Sequence, residues 1–588
     1  MIKKETLLGF SILLLGFWFF NSKFYYEIIG QPFPYDKKAQ TEMIENAKKV
    51  AEEINNLEIT KHAIITETPL EAEEDSIAVA EIIPIKEIIL SNEVLQLTIT
   101  EDGAKIVSAK ALQYTYGKGL KREGEIVQLI SDTIAGILTS QIGNTDLSKA
   151  RFVYDEENSN ENIAVFNYHL NGEKVSKIFE IKENSYFVDF KMQSNLIAIE
   201  QNTIMLDGGI SESETDSDKS LPFSERVVMI GHDKNKTERV VMKKIESYDI
   251  FGQPFHWVAL NSKYFAFVVI PQERKNRDLR ITSFLIDETA KTESINLNYQ
   301  IELTQKVQRN TQSDNFVDYS VFIGPSKHSE LAQAKVGLQH SLFRGYAWFF
   351  RADLWFPPLC EAVLWFLNFF GKLIGDYGVS ILLLTLLLKI VTFPLSQASI
   401  NSMAAMSALQ PKIQEIQKKY ADNKQLQQQK ILEMYQSEGI NPLASLGGCI
   451  PLFIQMPIMI ALFIVLRKAV ELRGETTFFL PWVQDLSQAE VLFRLPFTIP
   501  FYGDNFAVLP ILMAGSMFLQ NKMTIKDPNQ IAMVYLMPII MLVMFNNFPA
   551  GLTLYFTASN LLQILQQKLT KKPVISAANL PKAKKSKK

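Results

Sequence analysis

Hydrophobic and polar positions follow two different regimes along this chain. Up to about Arg344 the apolar residues come in short alternating runs rich in Val, Ile, Phe and Tyr, such as Glu93 to Thr100, Ile178 to Met192 and Ile295 to Leu303, separated by Gly, Asn and Asp turns. Many short strands at that spacing predict a β-sandwich. From Leu373 to Leu565 the alternation stops, and long apolar runs of the kind that cross a bilayer take over. The predicted spans are Tyr377–Pro394, Gly447–Leu466, Phe506–Leu519, Ile531–Phe545 and Phe548–Leu565. A sixth apolar run, Leu7 to Phe20, follows Lys3 and Lys4. It reads as an uncleaved anchor, because Asn21, Ser22 and Lys23 and then Phe24, Tyr25 and Tyr26 stand where a cleavage site needs small residues. The fold class is therefore an α-helical integral membrane protein with six transmembrane helices and a large all-β domain.

The connecting segments carry their own signals. Gln31 to Pro84 is polar and acidic around Glu67 to Asp75, and reads as a tether. Tyr346 to Lys372 is crowded with Trp and Phe, while Glu361, Asn368 and Lys372 recur at intervals of seven and four and so share one helix stripe. That pattern fits an amphipathic helix along the outer membrane interface; the alternative is a true span, against which stand Pro357, Pro358 and the charges. Phe506–Leu519 and Ile531–Phe545 are short for a hydrocarbon core of ~30 Å, so they imply little tilt or a locally thinned bilayer.

Charge sets the orientation. The formal net charge of −3 says little by itself. The lysines fall into groups, however: Lys3 and Lys4; then Lys412, Lys418, Lys419, Lys424 and Lys430; then Lys522 and Lys526; then a tail from Lys571 to Lys588. All four groups land on the cytoplasmic side of a six-span chain, which makes the β domain periplasmic. Arg467, Lys468, Arg473 and Arg494 fall outside and weaken the bias without reversing it. Cys360 and Cys449 both lie in the apolar half, so the β domain has no disulfide framework. Scattered His and distant Cys argue against a metal site, and we find neither a glycine-rich phosphate loop nor a nucleophile elbow. No cofactor, enzymatic chemistry or specific nucleic-acid motif is expected.

One residue stands out for chemistry. Lys389 interrupts the run from Ser380 to Val391, where a charge costs about 2.5–3.5 kcal/mol on insertion scales. Two readings are open: its stem snorkels to the cytoplasmic headgroups, or it lines a wet groove. Thr385 shares its helix face, and Gln455, Gln520, Asn546, Asn547, Thr557, Ser559 and Asn560 put uncharged polar groups in or beside other spans. Lys412 to Ser437 reads as an antiparallel pair of amphipathic helices in the cytoplasm, either a docking arm or a solvated loop whose helices satisfy each other. The basic tail suits ribosomal RNA, anionic lipid or a plain topology signal equally.

Three separated stretches carry a family resemblance: Phe393–Gln414 (FPLSQASINSMAAMSALQPKIQ), Gly439–Pro457 (GINPLASLGGCIPLFIQMP) and Asn546–Gln567 (NNFPAGLTLYFTASNLLQILQQ). In this order they closely resemble the YidC/Oxa family, and Asn92–Gly103 with Trp257–Pro271 (WVALNSKYFAFVVIP) resembles, more weakly, the periplasmic domain of its Gram-negative members. The resemblance implies a membrane protein insertase and chaperone of the bacterial inner membrane, with a β-supersandwich and five core spans around a lipid-open groove. It implies as partners nascent membrane proteins, membrane lipids, the ribosome and the Sec translocon. The implied groove residues are Lys389, Thr385, Gln455, Gln520, Tyr555, Phe556 and Ser559, with Lys412, Lys418, Lys419, Lys424 and Lys430 on the docking hairpin. Lys389 stands where the family carries an arginine; charge is kept and the planar donor fork is lost. Ala444-Ser445-Leu446 look inserted, and Phe556 replaces an aromatic hydroxyl. The resulting division is anchor 1–30, tether 31–84, periplasmic domain 85–344, interfacial helix 345–376, core 377–567 with hairpin 396–438, and tail 568–588. Rival readings are an ion- or proton-coupled transporter titrating Lys389, and a periplasmic carbohydrate-binding module held by the spans.

Overall fold

The structure, a computed structural model, describes residues 85–570 except for 118–121, 131–135, 171, 195–200, 208, 212, 214–225, 234–235, 243, 274, 286–296, 307–314, 345–351, 422, 438–449, 500–501 and 525–530. The N-terminal anchor and the tether lie outside the described residues, as do Tyr346 to Arg351, the Gly439 to Cys449 part of the second motif and the tail lysines from Lys571 onward. The described residues fall into two units, Ile531–Val534 in one and the remainder, within 85–524 and 535–570, in the other, with which the following description is concerned.

Alternation in the first half builds two antiparallel sheets. One runs, in spatial order, Glu87–Ser91, Leu95–Thr100, Lys105–Thr115, Ile137–Ile142, Gln201–Leu206, Leu297–Lys306, Arg277–Leu285 and Ser247–Gln253, with Ile126–Gln128 and Thr145–Asp146 paired to its side. The other runs Lys236–Val240, Val227–Asp233, Trp257–Asn261, Phe265–Pro271, Asn315–Pro325, Phe187–Ser194, Glu173–Ile181, Ile163–Leu170 and Val153–Tyr154. Leu95–Thr100 and Arg277–Leu285 keep the inward–outward pleat that the sequence announces, with alternate residues buried. Ile178 to Met192 covers the end of one strand, a turn and the start of the next, forming a hairpin in which Phe190 faces Phe179. Trp257–Asn261 and Phe265–Pro271 are buried almost throughout, so their continuous apolar runs lie at the centre of the sandwich.

The two sheets are joined by side chains that cross between them. Tyr114 meets Phe265 edge-on, 5.5 Å between centroids. Lys177, fully buried on Glu173–Ile181, donates to the carbonyls of Gly103, Ala104 and Leu138 at 2.7, 3.3 and 3.2 Å. Ala104 and Leu138 hold left-handed backbone, φ 41° and 62°, which a non-glycine residue adopts only when its surroundings enforce it.

The second half is helical: α1 (Ala352–Ile374), α2 (Tyr377–Lys419), α3 (Lys424–Ser437), α4 (Ile450–Lys468), α5 (Leu509–Thr524), α6 (Ile531–Phe545) and α7 (Ala550–Leu569). The predicted span ending at Pro394 and the first arm of the predicted hairpin are one continuous helix of 43 residues, α2, with Pro394 and Pro411 inside it. Among the described residues one helical segment, Tyr377–Asn401, is both long and apolar enough to cross a membrane. α5 and α6 have 16 and 15 residues, and the 20 residues of α7 include Thr, Ser, Asn and Gln.

The segment between α4 and α5 ties three helices together. Asp376 caps α2 by accepting from the Val379 amide, and also accepts from the Thr477 hydroxyl and the Phe478 amide, at 2.9, 3.0 and 2.9 Å. Gly378 is required there, because a Cβ would sit 2.4 Å from the Thr477 hydroxyl. The Glu490 carboxylate accepts from Val508 and Leu509 at the start of α5, where a negative charge also suits the helix dipole. The first amides of α7, Ala550 and Gly551, donate to the carbonyls of Gln488 and Leu486. One outer loop thus sets the positions of α2, α5 and α7.

Candidate functional site

Lys389 lies twelve residues along α2 from Tyr377, ~18 Å at 1.5 Å per residue. Its ammonium donates to Gln563 Oε1 on α7 at 2.9 Å. Among the described residues no carboxylate lies within salt-bridge distance of it. Next to it on α2, Leu386, Ile390 and Phe393 are 44, 63 and 46 % exposed. The cation therefore borders bare apolar surface.

The other predicted groove residues fall into smaller groups. Gln455 on α4 donates to the Tyr555 hydroxyl on α7 at 2.9 Å. Phe556 packs edge-on against Phe545, 4.9 Å, and beside Tyr555, 5.5 Å. Tyr555, Ser559 and Gln563 recur every four residues and share one face of α7, a stripe ~12 Å long that runs from the Gln455 contact to Lys389. Thr385 is buried and donates back to the Ile381 carbonyl of its own helix, so its hydroxyl proton is not available to a client. Gln520 is half-buried on α5, a helix stitched to α7 by Asn560 donating to Ser516 and Gln567 to Thr524. No hydrogen bond joins Gln520 to Lys389. Gln563, which sequence reading left out of the groove, was findable: it stands one helical turn beyond Ser559.

Helix α1 has three faces. Phe356, Cys360, Val363, Leu364 and Leu367 are buried in the helical core, and Trp365 stacks on Phe369 on a bare face. The stripe of Glu361, Asn368 and Lys372 lines a cleft of about 1140 Å³ under the β domain, shared with Tyr114, Glu471 and Trp482. Burial raises the Glu471 carboxyl above its ordinary range, opposed by an Asn368 hydrogen bond and by Lys327 and Lys372. At this joint Tyr264 donates to Ser487 at 2.9 Å, and Arg473 donates to the Thr115 carbonyl at 2.8 Å.

In the hairpin, Leu409 and Ile413 of α2 pack with Ile431, Met434 and Tyr435 of α3, and Gln427 donates to the Gln417 carbonyl. Lys412, Lys418, Lys419 and Lys424 are exposed, while Lys430 is half-buried and pairs with Glu433 at 2.6 Å. Among the described residues no cluster of three or more His, Cys, Asp or Glu is placed to hold a metal ion.

Among the described residues, a two-sheet β domain is followed by a helical region with one helix long and apolar enough to cross a membrane, and on that helix a half-buried lysine borders bare apolar surface. Residues 87–356 match the YidC periplasmic domain family and 369–577 the 60Kd inner membrane protein family. The chain is 31% identical over 506 residues to the membrane protein insertase YidC of Chlorobium phaeovibrioides, covering 82% of each, and 30% identical over 499 residues to that of Chlorobium limicola, covering 81% of each. Among solved structures it is similar to an active YidC insertase crystal structure, at 19% identity and a TM-score of 0.36 over 83% of this chain and 93% of the other. The chain belongs to the YidC family of membrane protein insertases: an inner membrane protein with a periplasmic domain, and not an enzyme.

Proposed function

We propose that this insertase works through the polar seam between α2 and α7, with Lys389 receiving the polar extramembrane end of a nascent hydrophobic segment. The observation that carries this is a half-buried lysine whose ammonium is hydrogen-bonded to a neutral amide, at the edge of exposed apolar surface. A polar end held near Lys389 lowers the cost of its passage, and the attached apolar segment moves into lipid under the hydrophobic effect. The short α5 and α6, ~24 and ~23 Å against a core of ~30 Å, favour a thinned bilayer beside the seam.

The chain on this reading has six spans, a cytoplasmic C-terminus and the domain limits given above: anchor 1–30, tether 31–84, periplasmic domain 85–344, interfacial helix 345–376, core 377–567 and tail 568–588. The hairpin 396–438 presents Lys412, Lys418, Lys419, Lys424 and Lys430 to a ribosome or client, and insertion proceeds alone or with the Sec translocon. Clients are nascent membrane proteins, and lipid is the acceptor phase.

The test is insertion of a single-span client with a short acidic end into proteoliposomes. The native chain and Lys389→Arg insert it; Lys389→Ala is slower by about 10- to 100-fold, the loss expected for one hydrogen-bonded charge contact of about 1.5–3 kcal/mol. Equal rates for Lys389→Ala and the native chain would refute the role given to Lys389.

A further inference from the structure

We propose that the cleft under the β domain binds the headgroup of a phospholipid that carries both a phosphate and a primary ammonium, with the acyl chains lying along the bare face of α1. The proposal concerns the outer joint of the molecule and rests on the interfacial position given to α1 above.

Helix α1 presents both kinds of surface that such a lipid needs. Trp365, Phe369 and Leu373 recur every four residues, are 65, 50 and 69 % exposed, and form an apolar strip ~12 Å long. Trp365 also lines the cleft, together with Asn368 and Lys372 of the polar stripe. The strip therefore starts at the rim of the cleft. A soluble zwitterion would use the cleft and leave the strip bare; an alkyl chain would use only the strip. A phospholipid uses both. Tyr114 and Trp482 share the cleft wall, and aromatic residues of these types sit at headgroup level in membrane proteins.

The charges in the cleft match a zwitterion better than an anion. Glu471, Glu475 and Asp485 line it, and burial raises the carboxyl of each, with Asp485 and Asp376 adding to the effect at Glu475. Carboxylates held in that condition gain from an added cation. Tyr377 donates to Asn368 Oδ1 at 3.2 Å, and Asn368 in turn hydrogen-bonds Glu471. Oε2 of that carboxylate has no hydrogen-bond partner among the described residues. A primary ammonium donates to such an oxygen, whereas a quaternary one has no N–H to give. Lys372, exposed, is near enough to Glu471 to oppose the upward shift of its carboxyl, and is the chain neighbour of Leu373 in the apolar strip. Strip, lysine and carboxylate thus follow the order of acyl chain, phosphate and ammonium in the lipid.

The test is lipid binding to the full-length protein in detergent, counted by native mass spectrometry as dioleoyl phosphatidylethanolamine, phosphatidylcholine or phosphatidylglycerol is added. Phosphatidylethanolamine binds about tenfold more tightly than the other two, the difference expected for one charge-assisted contact. Glu471→Gln, nearly isosteric, removes the preference; Lys372→Gln weakens all three lipids and keeps it. No preference in the native chain, or one that Glu471→Gln leaves intact, overturns the proposal. So does equal competition by glycerophosphoethanolamine, which would make the ligand a soluble zwitterion. A photo-crosslinker at position 369 in proteoliposomes separates the two levels of the argument. If it captures client polypeptide or nothing in place of lipid, the interfacial reading of α1 fails; if it captures lipid while the headgroup preference is missing, the cleft site alone fails.

Discussion

Lys177 offers a perturbation whose sign and size both follow from its surroundings. It reaches from one sheet to three carbonyls of the other, with Phe152 5.2 Å from its ammonium and no carboxylate in salt-bridge distance among the described residues. Burial pushes its pKa down from 10.5 to about 7; the nearby Lys105 lowers it further and Asp146 opposes, while Lys105 itself pairs with Asp102 at 2.9 Å. Below pH 7 both folded and unfolded chains carry the proton, and the desolvation penalty is fully present. Between pH 7 and 10.5 the folded chain binds less of that proton than the unfolded one, so the sandwich gains stability with rising pH, by up to ~1.4 kcal/mol per unit. From pH 6.5 to 9 the gain is about 2–3 kcal/mol, and Lys177→Met abolishes it. At pH 9 the methionine variant is less stable by about 2–4 kcal/mol, since the carbonyls of Gly103, Ala104 and Leu138 lose their donor and the two left-handed positions, Ala104 and Leu138, lose their tether. The assay is hydrogen exchange of the sheet amides from Lys177 to Ile181 in the full-length protein, converted to opening free energies at each pH. Parallel pH curves for the native chain and Lys177→Met would refute the assignment of the slope to this lysine.

Two further predictions concern the outer joint. Asp376→Ala removes the cap of α2 and both contacts to Thr477 and Phe478, and costs about 2–5 kcal/mol of local stability, read as faster exchange of the Val379 and Phe478 amides. Asp376→Asn retains part of it. Glu471→Gln raises the melting temperature at pH 8: burial raises this carboxyl, so the folded chain loses stability as pH climbs from the unfolded value through the folded one. The advantage of the glutamine shrinks toward pH 4, where both states are protonated, and a melting-temperature gain independent of pH would contradict the cause given.

Element type was legible wherever one residue's fate depends on its near neighbours. The pleat of Leu95–Thr100, the buried run of Phe265–Pro271 and the amphipathic stripe of Glu361, Asn368 and Lys372 are all periodicities of a few residues, which the backbone turns directly into faces. Continuity at Pro394 was less legible: the segment predicted as a span up to Pro394 and the first arm of the hairpin are one helix, α2, because a proline inside a helix is tolerated where packing holds it.

The candidate site was half legible. A lysine in an apolar run announces itself, because its cost is local; its partner does not, because a glutamine among several glutamines carries no signal until packing selects one. Gln563 is 174 residues from Lys389 and meets it only because the outer loop fixes where α2 and α7 begin. The same holds for Lys177: strand alternation places it on one face with Val175, Phe179 and Ile181, but its carbonyl partners, Gly103 among them, lie tens of positions away and are set by packing. What the chain alone determines here is the kind of element and the presence of a charge within an apolar run, since both arise from short-range periodicity and transfer cost. Which groups satisfy that charge, which face of α1 opens on a cleft and which strands are neighbours are decided by tertiary packing, because each depends on distances between segments that no local pattern encodes.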